Sequence, residues 1–197
     1  MTQPVPAGWP AEGARLLEPS IDYALGAVLA VTPELLPRPT PCRGWDLRML
    51  LRHACESLAA LGEGTATGRV GLDPAEDGDL AADPARAFHD RADQLLDAWT
   101  SPGRQRQVIE IAGCPLAASV LAAAAALEVA VHGWDISRAC GQRRPIPSAL
   151  AASLLAVAPV LVPRARRHPL FAAPVTVPAT AGSSDQLAAF LGRAPRQ

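Results

Sequence analysis

One alanine-rich stretch restricts the fold of this chain more than any other part of its sequence. It runs from about Pro115 to Cys140, is apolar on nearly every side, and stops at Gly141, a residue type that often ends helices. Between Gly113 and Asp135 it carries Glu128 as its only formal charge. Its most apolar part, Pro115 to Val131, is shorter and less hydrophobic than a membrane span requires, so we predict a helix buried in the core of the protein.

Apolar residues at helical spacing predict further helices that would surround this one. The predicted helices run from Ala11 to Leu36, from the N-cap Asp46 to about Leu61, from Asp83-Pro84 to about Trp99, from Pro145–Pro147 to Pro159–Pro163, and from Ser184 to Leu191. Gly62 to Asp79 is expected to be a loop, whereas Arg106 to Ile111 and Phe171 to Thr180 are expected to be extended.

These segments predict an all-α fold, namely an antiparallel four-helix bundle with a short extended segment and a helix at its C-terminal end. Residues 1–10 contain three prolines and are expected to form a flexible arm. Residues 11–197 are then a single helical-bundle domain, because no internal repeat or second domain is evident.

Composition excludes several classes of partner and compartment. The net charge is -1 and no basic stripe is interleaved with aromatic residues, which argues against nucleic-acid binding. The cysteines form no Cys-x-x-Cys pair and no zinc-finger spacing, and the N-terminus does not resemble a signal peptide. We therefore expect a cytoplasmic protein without a membrane partner, whose thiols are reduced: Cys42, Cys55, Cys114 and Cys140.

Glu128 and His132 are the first candidates for chemistry. They lie four residues apart on one helix, so their side chains share a face. A carboxylate buried among apolar residues needs a partner, and either a divalent metal or a hydrogen-bonded pair with His132 would supply one. His53 could be a third metal ligand from a neighbouring helix, although a histidine at the bundle edge without metal fits the sequence as well. Two His and one Glu would leave coordination positions free, as a catalytic metal requires.

Residues beside these candidates have both structural and functional interpretations. Asp135 is interpreted as the partner of Arg138 in a surface ion pair, the alternative being a hydrogen-bond acceptor for a ligand imidazole. Gly133 within a helix costs about 1 kcal/mol relative to alanine, which the close approach of another helix would explain. His168 is interpreted as a solvated residue after the fifth helix, the alternative being a group that binds a carboxylated thiol. Cys42, Cys114 and Cys140 are interpreted as small apolar fillers or loop thiols, and Cys55 lies on a different helix face from His53 and cannot easily share its metal.

Three groups of residues together resemble the DinB-like metal-binding superfamily, and more closely its actinobacterial branch related to mycothiol-dependent maleylpyruvate isomerase. They are Thr40-Pro41-Cys42-x-Gly44-Trp45 with the Leu-rich helix to His53; Glu128-x-x-x-His132-Gly133-Trp134-Asp135 with Arg138-Ala139-x-Gly141; and Pro174-Val175-x-Val177-Pro178-Ala179 with Asp185-Gln186-Leu187 and Leu191-Gly192-Arg193. The resemblance covers about residues 14–195. Asp46 and Met49 depart from it, since relatives more often carry a small hydroxyl residue and an acid at these positions.

The resemblance implies a four-helix bundle whose divalent metal, most often zinc, is bound by His53, Glu128 and His132. Nickel and iron also suit these ligand types. It further implies that the metal binds a low-molecular-weight thiol such as mycothiol, which as thiolate attacks a small electrophilic substrate. We therefore predict a metal-dependent thiol transferase or isomerase, with that thiol and that electrophile as its partners and a homodimer as one oligomeric state open to it.

Two other functions stay open at this point. One is a non-catalytic bundle that binds a metal or a small molecule and serves a biosynthetic pathway. The other is a metal-free bundle in which Glu128 pairs with His132 alone. The sequence assigns no catalytic residue beyond the candidate metal ligands and no residue that would bind the thiol.

Overall fold

The computed structural model describes residues 13–71, 83–104, 107–163, 167 and 171–195. This part of the chain is mostly helical, with one small sheet. Its helices are α1 (Leu17–Val28), α2 (Leu47–Thr67), α3 (Pro84–Thr100), α4 (Ala118–Ala139), α5 (Ser148–Leu161) and α6 (Ser183–Phe190), and its strands are β1 (Arg69–Val70), β2 (Val108–Ile111) and β3 (Cys114–Ala117). The predicted arm at residues 1–10 and His168 lie outside the described residues.

Helix α4 is the predicted core helix, and most of its residues are buried. It packs against α1, α2 and α5, while α3 packs against α1 and α2, and α6 packs against α5. By length and composition α4 could cross a membrane, but 67% of the relevant window is buried inside the protein. This burial is typical of a core helix.

The contact between α1 and α4 is unusually close at Gly133. A Cβ atom placed on Gly133 would lie 2.9 Å from the Cα and 3.0 Å from the Cβ of Ala24 in α1. Carbon atoms normally pack at about 3.5–4.0 Å, so only glycine lets the two backbones come this near. The expected close approach beside His132 is confirmed.

The first predicted helix is shorter than expected. Helix α1 ends at Val28, and only a 3-10 turn, Pro33–Leu35, follows before the connector to α2. Proline disfavours the helical conformation in the residue before it, and Thr32 is extended, with φ -125° and ψ 160°. Pro33 therefore separates this segment from the helix instead of merely interrupting its last turn.

Helix α2 begins as predicted and ends later than predicted. Asp46 Oδ1 accepts a hydrogen bond from the Met49 backbone N–H at 2.8 Å, which confirms the N-cap. The predicted end near Leu61 is wrong, because the helix continues to Thr67. It stops at Gly68, whose φ of 78° is the left-handed conformation favoured at helix C-termini.

The small sheet lies between α2 and α4 in the chain. Strand β2 pairs in parallel with β1 and antiparallel with β3. The predicted extended segment that ends at Ile111 is confirmed as β2, but Pro115 lies in β3 and not in the first turn of a helix. Strand β3 is at the edge of the sheet, where the missing N–H of a proline is tolerated. Helix α4 therefore starts at Ala118.

The remaining helices agree with the predictions to within a few residues. Helix α3 starts at Pro84 and is capped by Asp83, whose Oδ1 accepts a hydrogen bond from the Arg86 N–H at 3.0 Å. Helix α5 contains Pro159 and ends at Leu161. Helical structure thus dominates as expected, and the sheet is an addition to the predicted all-α class.

Candidate metal centre

Helices α2 and α4 bring the three predicted ligands together. His53, Glu128 and His132 each offer a ligand atom, and these atoms lie within 4.8 Å of one another. His53 Nε2 is 3.1 Å from Glu128 Oε1. The two imidazole rings are 5.2 Å apart between centroids and nearly perpendicular, at 89°. The convergence of the three side chains is observed, whereas metal binding by them stays a prediction.

Hydrogen bonds keep the carboxyl group of Glu128 ionised. Ser57 Oγ donates to Glu128 Oε1 at 2.5 Å, and His53 contacts the same oxygen. Burial raises the pKa of Glu128, but the hydrogen bonds from His53 and Ser57 and the nearby charge of His132 outweigh it and hold that pKa below its usual range. The site therefore presents a negative charge to any cation that enters it.

His53, and not His132, is the hydrogen-bonded partner of Glu128. This corrects the interpretation of an isolated pair between Glu128 and His132. The hydrogen bond to Glu128 raises the pKa of His53, against the lowering effect of burial. A metal that binds at His53 Nε2 must replace the proton shared with the carboxylate, because a ligating imidazole needs a free lone pair on that nitrogen.

The chemistry of the three donors fits a divalent metal. Two imidazole nitrogens and one carboxylate oxygen form a ligand set that suits zinc and is compatible with other first-row metals. The side chains of His53 and Glu128 are 39% and 37% exposed. Both side chains are therefore partly accessible to solvent.

Asp135 fixes the orientation of the His132 ring. Its carboxylate is fully buried, and His132 Nδ1 lies 3.1 Å from Asp135 Oδ2. Burial raises the pKa of Asp135, but the charges and hydrogen bonds of Arg193 and His132 outweigh it, so the carboxyl group is ionised and can only accept. His132 Nδ1 must then carry the ring proton, which leaves Nε2 as the nitrogen available to a metal.

The interpretation of Asp135 as a surface partner of Arg138 is wrong. Asp135 is inaccessible to solvent, and the Arg138 guanidinium lies over the Trp134 ring, 5.6 Å from its centroid. The contact with the His132 imidazole that the alternative interpretation requires is present, whereas metal binding by His132 stays a prediction. Trp134 is itself buried and packs in the core.

Two residues complete the surroundings of Asp135 and were not predicted from the sequence. Arg193 donates from Nη2 to Asp135 Oδ2 at 2.8 Å and from Nε to Asp135 Oδ1 at 3.3 Å. Cys42 Sγ donates to Asp135 Oδ2 at 3.2 Å. Burial and the charge of Asp135 raise the pKa of Cys42 to about 12 in spite of Arg193, so its thiol stays protonated. Cys42 is therefore a loop thiol, one of the two predicted roles, and it donates a hydrogen bond instead of acting as an apolar filler.

The Thr40–Trp45 turn carries Cys42 and Trp45 to the centre. Thr40 Oγ1 donates to the Trp45 carbonyl at 3.0 Å, and the Trp45 N–H donates to the Cys42 carbonyl at 3.0 Å. The Trp45 ring meets the His53 ring at 65°, with 5.0 Å between centroids. The turn thus places the Trp45 ring against His53 and the Cys42 thiol against Asp135, the residue that contacts His132.

Comparison with known proteins identifies the family of the chain. The sequence model of the mycothiol maleylpyruvate isomerase N-terminal domain matches residues 17–137, which include all three candidate ligands. Two relatives from Mycobacterium tuberculosis, Uncharacterized protein Rv0738 of strain H37Rv and Uncharacterized protein MT0763 of strain CDC 1551, are each 31% identical over 181 residues. Each alignment covers 88% of this chain and 93% of the relative. No solved structure matches the chain significantly. The chain belongs to the mycothiol maleylpyruvate isomerase N-terminal domain family.

Proposed function

We propose that this protein binds a divalent metal, most suitably zinc, and uses it to activate a low-molecular-weight thiol such as mycothiol for attack on a small electrophile. The observation that carries the proposal is the convergence of His53, Glu128 and His132 from two helices within 4.8 Å. The bound ion would supply a positive charge that lowers the pKa of an incoming thiol and generates thiolate at neutral pH.

The residues of the chain account for the remaining requirements of this reaction. Glu128 supplies one negative charge, so a divalent ion held with two neutral imidazoles would leave the centre net positive and receptive to an anionic sulfur. Asp135 keeps the His132 lone pair on Nε2. The partial exposure of His53 and Glu128 leaves these side chains accessible from solvent. The thiolate would add to one carbon of an activated carbon–carbon double bond, whose π electron pair moves onto the electron-withdrawing group. Protonation of this adduct, by the proton that the thiol released, gives a thioether, whereas rotation about the former double bond and expulsion of the thiolate gives an isomer of the substrate.

The same proposal extends to fold and location. We propose that α1 to α4 form an antiparallel DinB-like bundle, a reading supported by the contacts of α4 and α3 with both α1 and α2. We also propose a cytoplasmic location, where low-molecular-weight thiols are kept reduced.

Metal binding is tested by elemental analysis of untreated protein and by calorimetric titration with zinc. We expect one zinc per chain, and a loss of affinity of at least about 100-fold in His132→Ala, since a ligand is removed. His89→Ala is the matched control. Like His132 with Asp135, His89 contacts an aspartate on its own helix, Asp93, at 3.2 Å, but both residues are exposed on α3. Equal zinc affinity in both variants would refute the assignment of His132.

Catalysis is tested separately by mixing the zinc-loaded protein with mycothiol and an activated electrophile. Thiol consumption above the uncatalysed rate, abolished in His132→Ala and retained in His89→Ala, would support a transferase or isomerase. Zinc binding without turnover of any tested thiol and electrophile would instead favour the non-catalytic binding protein.

A further inference from the structure

We propose that Arg193 is a positioning residue of the metal centre, which holds Asp135 through a two-pronged contact and thereby orients His132. The proposal rests on the metal site proposed above and deepens it. Arg193 lies outside residues 17–137, the stretch that the family model matches, so the centre would be completed by a residue from the C-terminal part of the chain.

The contacts form a continuous path from Arg193 to the candidate ligand. Arg193 reaches both Asp135 oxygens, at 2.8 and 3.3 Å, across 58 residues of sequence. Asp135 Oδ2 in turn lies 3.1 Å from His132 Nδ1. Among the described residues, Arg193 is the only arginine in hydrogen-bond contact with this carboxylate. A planar guanidinium that contacts both oxygens fixes the plane of the carboxylate, which a single contact could not do.

Arg193 is itself held in place by the end of α6. Its backbone N–H donates to the Ala188 carbonyl at 2.9 Å, and its Nη1 donates to the Leu191 carbonyl at 2.9 Å. Its side chain is only 10% exposed. The guanidinium is therefore ordered before any metal arrives, and burial protects its contact with Asp135 from competition by water.

The direction of the His132 lone pair depends on this arrangement. A carboxylate acceptor at Nδ1 keeps the ring proton there and leaves Nε2 to face His53 and Glu128. If Asp135 could rotate, its Oδ2 would leave Nδ1, and the proton could move to Nε2 and block coordination. Groups that orient a metal-binding histidine in this way typically change metal affinity about 10- to 100-fold when they are removed.

The test compares Arg193→Gln with Arg138→Gln, a control that removes a positive charge from the last turn of α4, where the guanidinium lies over the Trp134 ring. Zinc affinity is measured by calorimetry. The tautomer of His132 is measured in metal-free protein from its ring nitrogen resonances, which are assigned by their loss in His132→Ala. We expect Arg193→Gln to bind zinc at least about tenfold more weakly and to show a fraction of His132 with the proton on Nε2, and Arg138→Gln to resemble the parent in both.

Arg193→Lys covers the case in which Arg193→Gln does not fold. A lysine keeps the charge but presents a point charge in place of a fork, so we expect zinc affinity below that of the parent and a detectable second tautomer. A folded Arg193 variant with parental affinity and a single parental tautomer would overturn the proposal. If the parent binds no zinc, the proposed function fails, while the tautomer measurement on metal-free protein still decides the role of Arg193.

Discussion

The close contact between α1 and α4 makes a quantitative prediction for Gly133→Ala. Gly62 in α2 provides a matched control, because nothing lies within 4 Å of a Cβ placed on it. Both substitutions replace a helical glycine by alanine, which alone stabilises a helix by about 1 kcal/mol. That contribution is common to the two variants, so the difference between them isolates the effect of packing.

The size of that difference follows from the geometry. At Gly133 the new carbon would lie 2.9 Å from Ala24 Cα, a backbone atom, and 3.2 Å from Tyr23 Cδ1. Carbon contacts are normally about 3.5–4.0 Å, so α1 and α4 must separate locally by more than about half an ångström. The substitution therefore overpacks the interface by one methyl group. Overpacking of this kind costs about 1–3 kcal/mol. We expect Gly62→Ala to be about as stable as the parent or more so, and Gly133→Ala to be less stable than Gly62→Ala by about 1–3 kcal/mol.

Urea unfolding followed by circular dichroism measures both free energies of unfolding. A comparison of midpoints is valid if the slopes of the transitions agree. Equal stability of the two variants, or a more stable Gly133→Ala, would contradict the close packing of Gly133 against α1.

Three further predictions concern single residues. The exposed Cys114 should react with iodoacetamide in the folded protein, whereas Cys55, which is buried and has its pKa raised to about 12 by burial, should stay unreacted even at pH 9; rapid labelling of Cys55 without unfolding would contradict its placement. Asp46→Ala should lower the free energy of unfolding by about 1 kcal/mol through loss of the α2 cap, and an unchanged urea midpoint would argue against that cap. Ser57→Ala should weaken zinc binding roughly tenfold by freeing Glu128, and calorimetry that finds parental affinity would exclude this role.

The elements that sequence predicts well are those decided by local chemistry. Asp46 and Asp83 cap the helices that follow them because a carboxylate and the backbone N–H three residues later interact within one turn. Glu128 and His132 share a face for an equally local reason. The local sequence of α2 does not indicate that His53 has a partner in α4. The prediction of His53 as a third ligand therefore depends on the family resemblance.

The features that sequence did not predict depend on distant parts of the chain. Pro115 lies within a run that favours helix, but pairing of β3 with β2 overrides that preference. Arg193 and Asp135 are brought together by the packing of the C-terminal segment, and no spacing rule relates two residues so far apart. Spacing along the helix predicts Arg138 as the partner of Asp135, because Arg138 is the nearest charged residue. In the folded protein Asp135 is buried and its partner is Arg193.

The edge contact between Trp45 and His53 equips the protein with an intrinsic optical probe. The indole of Trp45 lies 5.0 Å from the imidazole that would change most when an ion arrives. Metal binding would replace the proton that His53 shares with Glu128 by an ion close to the Trp45 indole. The fluorescence of Trp45 should therefore change when the metal site is occupied, and a quenching ion such as nickel should reduce it. With Trp45→Phe this response should vanish while the remaining tryptophan fluorescence persists, which would let affinities be read without any added dye or label.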